Sequence, residues 1–101
     1  MGNSYSPEKR TALILAKGVI VDPEYEFVLG LLAWRIVPKG YVEGTMYSGE
    51  WRKTVKLHHF IVGTPIDGLV IDHINRNKLD NRLVNLRVTN LYVNRQNSIH
   101  F

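Results

Sequence analysis

One stretch near the carboxyl-terminal end of this sequence combines residue types that suit chemistry on a phosphate ester. Asp72 and His73 are adjacent at the end of an apolar run, and Asn94 follows further along the chain. Consecutive side chains of a strand point to opposite faces, so one of the pair can hold a metal ion while the other faces a substrate. Carboxylate and amide oxygens are hard ligands that suit Mg²⁺ or Mn²⁺ and leave positions for water and phosphate oxygens. The alternative interpretation is a polar pair that caps a turn.

The elements that must position these residues form a strand, a polar loop, a second strand and a helix. Residues 69–88 read LVIDHINRNKLDNRLVNLRV, in which two apolar runs flank a loop rich in Asn and Arg. Residues 90–99 are predicted to form a helix, with Thr89 or Asn90 available as its cap. A helix beginning there would place Asn94 about one turn in, where the positive helix end favours a phosphate. The carboxyl-terminal part is therefore predicted to be a β-β-α unit.

The preceding residues predict a small antiparallel sheet with one main helix, giving an α+β fold. Asp22 can cap a helix that begins at Pro23 and runs to about Leu32, because proline and acidic residues suit a first turn. The other predicted elements are a loose arm over residues 1–10, β-rich runs at 11–16 and 18–21, a strand at 33–37, a hairpin of 41–47 with 51–57, and a short helix at 58–62.

Length and composition indicate one domain. The chain has 101 residues, 45% of them apolar, and no cysteine, so a disulfide framework and a thiolate metal site are excluded. We expect a flexible arm (1–10) and a single domain (11–101), made of a β-rich part (11–57) and a metal-binding core (58–101). No apolar run approaches the roughly 20 residues of a membrane span, and the first residues do not resemble a signal peptide. A soluble, cytoplasmic protein without a membrane partner is expected.

Charge is concentrated in the second half of the chain. Residues 1–50 hold five basic and six acidic side chains, whereas residues 51–101 hold eight and three, so the halves carry −1 and +5. A basic half is typical of a protein that binds a polyanion, although a merely well-solvated surface would look the same. Seven of the eight asparagines lie between Asn75 and Asn97. Asn75, Asn77, Asp80 and Asn81 are interpreted as turn formers without a chemical role.

The spacing of Asp72-His73, Asn85 and Asn94, with DHINRNKLDNRLVNLRV between them, resembles the HNH endonucleases of the phage and intron-homing type. The resemblance covers about residues 55–97 well. It extends more weakly upstream through AKGVIVDPEYEFVLGLLAWRIVPKGYV and LHHFIVG. It implies that the β-β-α unit is the ββα-metal fold, and that the protein is a phage or mobile-element endonuclease that hydrolyses DNA.

Residue by residue, the resemblance implies that Asp72 and Asn94 bind one Mg²⁺ or Mn²⁺ ion. His73 would be the general base, and Asn85 would fix the loop and the base through backbone hydrogen bonds. His58 matches a histidine that precedes the core motif, for which a phosphate contact or a structural role is expected. His100 does not match the histidine that ends the motif in colicin-type members.

DNA is therefore the expected partner, bound by a monomer or a homodimer that nicks one strand or cuts both. The alternative is a DNA-binding module on the same fold that does not cleave, or an interaction domain that uses the loop for protein contacts. The residues predicted to contact DNA are Arg52, Lys53, Lys56, His58, Arg76, Lys78, Arg82, Arg87 and Arg95.

Overall fold

The computed structural model describes residues 6–90, which form an α+β fold with two small antiparallel sheets. The helices are α1 (Pro7–Ala16), α2 (Leu57–Val62) and two 3₁₀ helices (Pro23–Gly30 and Leu83–Asn85). The strands are β1 (Arg35–Ile36), β2 (Val42–Ser48), β3 (Trp51–Lys56), β4 (Leu69–His73) and β5 (Leu86–Asn90). The predicted helix at 90–99, with Asn94 and Arg95, lies outside the described residues.

Helix α1 replaces the strand predicted at 11–16 and begins inside the segment expected to be a loose arm. The Ser6 side chain caps it by accepting a hydrogen bond from the Lys9 amide at 3.2 Å, Pro7 occupies the first turn, and Glu8 adds a favourable negative charge there. Ile14 faces the core and is 2% exposed. The apolar run TALILA was misleading because short apolar runs do not distinguish a strand from a buried helix.

The element predicted at Asp22-Pro23 is present, but it is a 3₁₀ helix that ends at Gly30. Its last turn is buried and packs against α1 at close range: a Cβ atom on Gly30 would lie 2.9 Å from both Cβ and the carbonyl oxygen of Pro7. Glycine at this position therefore lets the two helices approach each other.

The predicted hairpin is confirmed as β2 and β3, which pair from Glu43↔Lys56 to Ser48↔Trp51 around the turn at Gly49. Strand β1 adds to the β2 edge, within the predicted strand 33–37. The short helix predicted at 58–62 is also confirmed and begins one residue earlier, at Leu57. Its position after β3 lets Leu57, which is fully buried, cover the sheet.

The core lies between α1, the first 3₁₀ helix and the sheet. Leu29, Val42 and Leu57 are almost completely buried, and Trp34 is held there by a hydrogen bond from its indole nitrogen to the Val28 carbonyl oxygen at 3.0 Å. Trp51, in contrast, is 51% exposed at the end of the hairpin.

The second sheet is the predicted strand, loop and strand of the carboxyl-terminal part. Strands β4 and β5 are antiparallel, with Asp72 opposite Arg87 and His73 opposite Leu86. The loop between them is tied to the amino-terminal half: Ile20 donates to the Leu79 carbonyl oxygen and accepts from the Asn81 amide, both at 2.8 Å. The Asp22 carboxylate accepts from the Leu83 amide at 2.8 Å. The amino-terminal half therefore fixes the shape of this loop.

Within residues 6–90 no helix is long and apolar enough to cross a membrane.

Candidate active site

Asp72 and His73 lie side by side at the end of β4, as the sequence predicts, and their side chains have different surroundings. Asp72 pairs with Arg87, its cross-strand neighbour, with 2.7 Å between the Oδ2 and Nη2 atoms. The Asp72 side chain is 11% exposed. A carboxylate offers about four acceptor positions, so the pairing with Arg87 orients Asp72 without using up its capacity to bind a cation.

His73 is 5% exposed and belongs to a cluster of rings. Its ring centroid lies 4.9 Å from that of His58, in an edge-on arrangement, and 6.1 Å from that of Tyr41. Its Nε2 atom is 2.9 Å from Oδ1 of Asn81. These contacts leave the ring little freedom to rotate, which is what a positioned proton acceptor requires.

His58, for which a phosphate contact or a structural role is predicted, is buried beside His73. Its side chain is only 3% exposed and packs between His73, Tyr41 and His59. Burial, followed by the neighbouring charges of His73, His59 and Lys56, lowers the pKa of His58 from 6.5 to about 3. A neutral, buried imidazole cannot bind phosphate as a cation, so the structural role is the one that fits this position.

Asn85 is 4% exposed and joins the two ends of the β4–β5 loop. Its Nδ2 donates to the Asp80 carbonyl oxygen at 2.8 Å, and its Oδ1 accepts from the Asn75 amide at 2.9 Å. Its backbone oxygen accepts from the Ile74 amide, also at 2.9 Å. Asn85 therefore positions the residues that follow His73 and has no hydrogen bond to the ring itself.

The β4–β5 loop contains a buried carboxylate, that of Asp80, which the sequence predicts only as a turn residue. Asp80 is 2% exposed, and Arg82 binds both of its carboxylate oxygens, at 2.8 and 2.7 Å. Asn75 also donates to the Asp80 carboxylate, at 3.0 Å. The hydrogen bonds from Arg82 hold the pKa of Asp80 at about 2, against burial, which acts to raise it.

Asn75 and Asn77 are turn residues, as predicted: each accepts a hydrogen bond from the backbone amide two residues later. Asn81 differs, because its side chain contacts His73. Tyr41 was likewise missed as a site residue. Tyr41 and Asn81 lie on different elements, and only the tertiary structure brings them to His73. No spacing in the sequence distinguishes Asn81 from the neighbouring asparagines.

The described residues supply one of the two predicted metal ligands. Within residues 6–90 no group of three or more His, Asp or Glu side chains is arranged to hold a metal ion. Asp72 presents carboxylate oxygens at the strand end, and Asn94 falls outside the described residues. The chemistry of Asp72 fits Mg²⁺ or Mn²⁺, which are held by few protein ligands and keep several waters.

The basic residues predicted to contact DNA fall into two groups. Arg82 and Arg87 are engaged with Asp80 and Asp72, and Lys78 donates to the Lys39 carbonyl oxygen at 2.7 Å while lying 4.4 Å from the centre of the Tyr41 ring. Exposed positions are held by Arg52, Lys53 and Arg76, whereas Lys56 is partly buried.

Part of the chain, including this site, is similar to known HNH endonucleases. Residues 61–96 match a family model described as HNH endonuclease, a range that contains Asp72, His73, Asn85 and Asn94. The structure of the HNH homing endonuclease I-HmuI, described as binding and cleaving DNA, superposes with a TM-score of 0.60 at 29% sequence identity. The match covers 67% of this chain and 41% of that one. No curated protein sequence matches significantly. Residues 61–96 therefore resemble the HNH endonucleases, and the fold is similar to part of an HNH homing endonuclease.

Proposed function

We propose that this protein is a metal-dependent endonuclease that hydrolyses DNA phosphodiester bonds. The observation that carries the proposal is the pairing of Asp72 and His73 at the end of β4, inside the segment that matches the family model. The two side chains give one anionic ligand and one base within a single peptide unit. That is the minimum that metal-assisted hydrolysis of a phosphodiester needs from a protein.

His73 is the general base of this proposal. Its ring is held by Asn81 on one side and by the rings of His58 and Tyr41 on the others. A base held in place can take a proton from an attacking water without first becoming ordered. General-base catalysis typically contributes about 10²–10⁴-fold, so loss of His73 should abolish most turnover and leave DNA binding intact.

Asp72 and Asn94 would hold one divalent ion. When bound, such an ion stabilises the charge of the transition state and of the leaving oxygen. The part of Arg87 is to orient the Asp72 carboxylate, since carboxylate ligands are in turn usually held by hydrogen bonds. Asn85 has the corresponding part for the loop that follows His73.

DNA binding is proposed to use the exposed basic residues of the hairpin and of the β4–β5 loop. Arg52 and Lys53 project from β3, and Arg76 lies three residues after His73. Such contacts to phosphates give affinity with little sequence information. Binding should therefore weaken steeply as salt increases, because each neutralised phosphate releases counterions.

The test is plasmid cleavage by the wild type and by His73→Ala, with Mg²⁺, with Mn²⁺ and with a chelator. His59→Ala is the matched control, because His59 is the neighbour of His58 in α2 and is assigned no part in the reaction. We expect cleavage by the wild type and the control only when metal is present, and none by His73→Ala. Cleavage that persists in His73→Ala would refute the assignment of the base. A nicked product would indicate cleavage of one strand by a monomer, and a linear product would indicate cleavage of both strands by a homodimer.

The second candidate is a DNA-binding module on the same fold without cleavage. It is favoured by the exposed basic residues Arg52, Lys53 and Arg76, which binding of DNA would use whether or not cleavage follows. Salt-dependent binding of DNA with no cleavage under any metal condition would support it. We propose that the nuclease is encoded by a phage or a mobile element and that it acts in the cytoplasm of the host.

A further inference from the structure

We propose that Asn81 is a positioning residue that fixes the tautomer of His73. In this assignment Nε2 of His73 carries the proton and donates a hydrogen bond to Oδ1 of Asn81, which leaves Nδ1 as the basic nitrogen. The catalytic consequence rests on the proposed function. The assignment of the tautomer does not, because it follows from hydrogen bonds alone.

The orientation of the Asn81 amide decides the tautomer. Its Nδ2 donates to the Lys78 carbonyl oxygen at 3.3 Å, so the other end of the amide, Oδ1, faces the ring at 2.9 Å from Nε2. A flipped amide would set Nδ2 against His73 and bring two oxygens, Oδ1 and that of Lys78, into contact. An amide oxygen only accepts hydrogen bonds. Nε2 must therefore be the donor.

Burial makes this hydrogen bond obligatory. Asn81 is 1% exposed and His73 is 5% exposed, so water has little access to either partner. Buried polar atoms in native proteins almost always have a partner, and an amide oxygen without a donor would be strongly unfavourable. Among the described residues, the His73 ring makes no other hydrogen bond. Asn81 is therefore the group that selects between the two neutral forms.

Asn81 is itself fixed by the amino-terminal half of the chain. Its amide donates to the Ile20 carbonyl oxygen at 2.8 Å, and the Ile20 amide donates to the Leu79 carbonyl oxygen at 2.8 Å. The loop is thereby pinned on both sides of Asp80. The ring of His73 is in turn packed edge-on against the ring of His58. Ile20, which lies outside the segment that matches the family model, thus helps to fix the orientation of His73 through Asn81.

The direct test is the ¹⁵N spectrum of His73 in the wild type, at about pH 8, where histidine side chains are ordinarily neutral. The signals are assigned by comparison with His73→Gln. We expect Nε2 to have the shift of a protonated nitrogen and Nδ1 that of an unprotonated one. The opposite pattern, or an even mixture of both forms, would overturn the proposal without any variant of Asn81 having to fold.

Two variants extend the test to activity. Asn81→Leu has a similar shape and no acceptor, whereas Asn81→Asp keeps an oxygen in place. We expect Asn81→Leu to lose the preference for the Nε2–H form and to lower kcat by about 10–100-fold with KM nearly unchanged. Asn81→Asp should restore the tautomer and part of kcat. An unchanged tautomer in a folded Asn81→Leu protein would overturn the proposal.

Failure of the two proposals can be told apart. A wild type that shows the Nε2–H form, loses it in Asn81→Leu and cuts no DNA supports the assignment of Asn81 and removes the nuclease. A wild type that cuts DNA with metal but shows the Nδ1–H form keeps the nuclease and removes the role of Asn81.

Discussion

Replacing Asp80 by asparagine should destabilise the protein in a pH-dependent way. The carboxylate is buried and receives two hydrogen bonds from Arg82, which hold the pKa of Asp80 at about 2 compared with an ordinary value of 3.8. Each pKa unit corresponds to about 1.4 kcal/mol, so the depression corresponds to about 2 kcal/mol of folding free energy. The Arg82 side chain is 45% exposed, and solvent screening reduces this contribution to about 1–2 kcal/mol.

The sign of the pH dependence follows from the direction of the pKa shift. A carboxyl group with a lowered pKa in the folded state stabilises the protein above its unfolded pKa, and the contribution is lost as the pH falls through the folded value. For Asp80 the loss should run from about pH 4 to about pH 2. The side-chain amide of the Asp80→Asn variant has no charge to lose, so the two proteins should converge in acid.

The assay is urea unfolding of the wild type and Asp80→Asn from neutral to acidic pH. The control is Asp67→Asn, which removes an exposed carboxylate from the turn before β4 and should change the free energy of unfolding by no more than about 0.5 kcal/mol. Equal stability of wild type and Asp80→Asn at neutral pH would refute the reasoning, as would a difference that stays constant down to pH 2.

Three further predictions concern the rest of the molecule. Gly44→Ala should lower the free energy of unfolding by about 1–3 kcal/mol, because its Cβ would lie 2.9 Å from the Trp34 ring; an unchanged urea midpoint would show that the sheet has room there. Arg76 has a positive φ of 65°, so Arg76→Val should lower thermal stability more than Arg76→Gly does; equal effects would argue against a left-handed backbone. His58 stays neutral to about pH 3 when folded but takes up a proton below pH 6.5 when unfolded, so the wild type should lose about 2 kcal/mol between pH 6.5 and 5. Urea titrations should show a smaller loss in His58→Phe, and the same loss would mean that other groups cause it.

Local signals were sufficient for several elements. Alternating polar and apolar residues around Ser48-Gly49-Glu50 gave the β2–β3 hairpin, and two apolar runs around a polar loop gave β4 and β5. Asp22-Pro23 predicted a helical segment, which is present, although the Asp22 side chain makes no capping hydrogen bond and instead accepts from the Leu83 amide. The same signal at Ser6-Pro7-Glu8 was overlooked in favour of the apolar run after it, and α1 was therefore missed.

The sequence by itself determined where the candidate residues lie, with Asp72 and His73 at the end of a strand and Asn85 at the end of the following loop, because residue types and spacing are local. Only the tertiary structure decided how these groups are held. The burial of His58, the contact of Asn81 with His73 and the tie from Ile20 to the loop all join residues from different elements. Such contacts depend on packing between distant parts of the chain, for which neither residue type nor periodicity contains a signal.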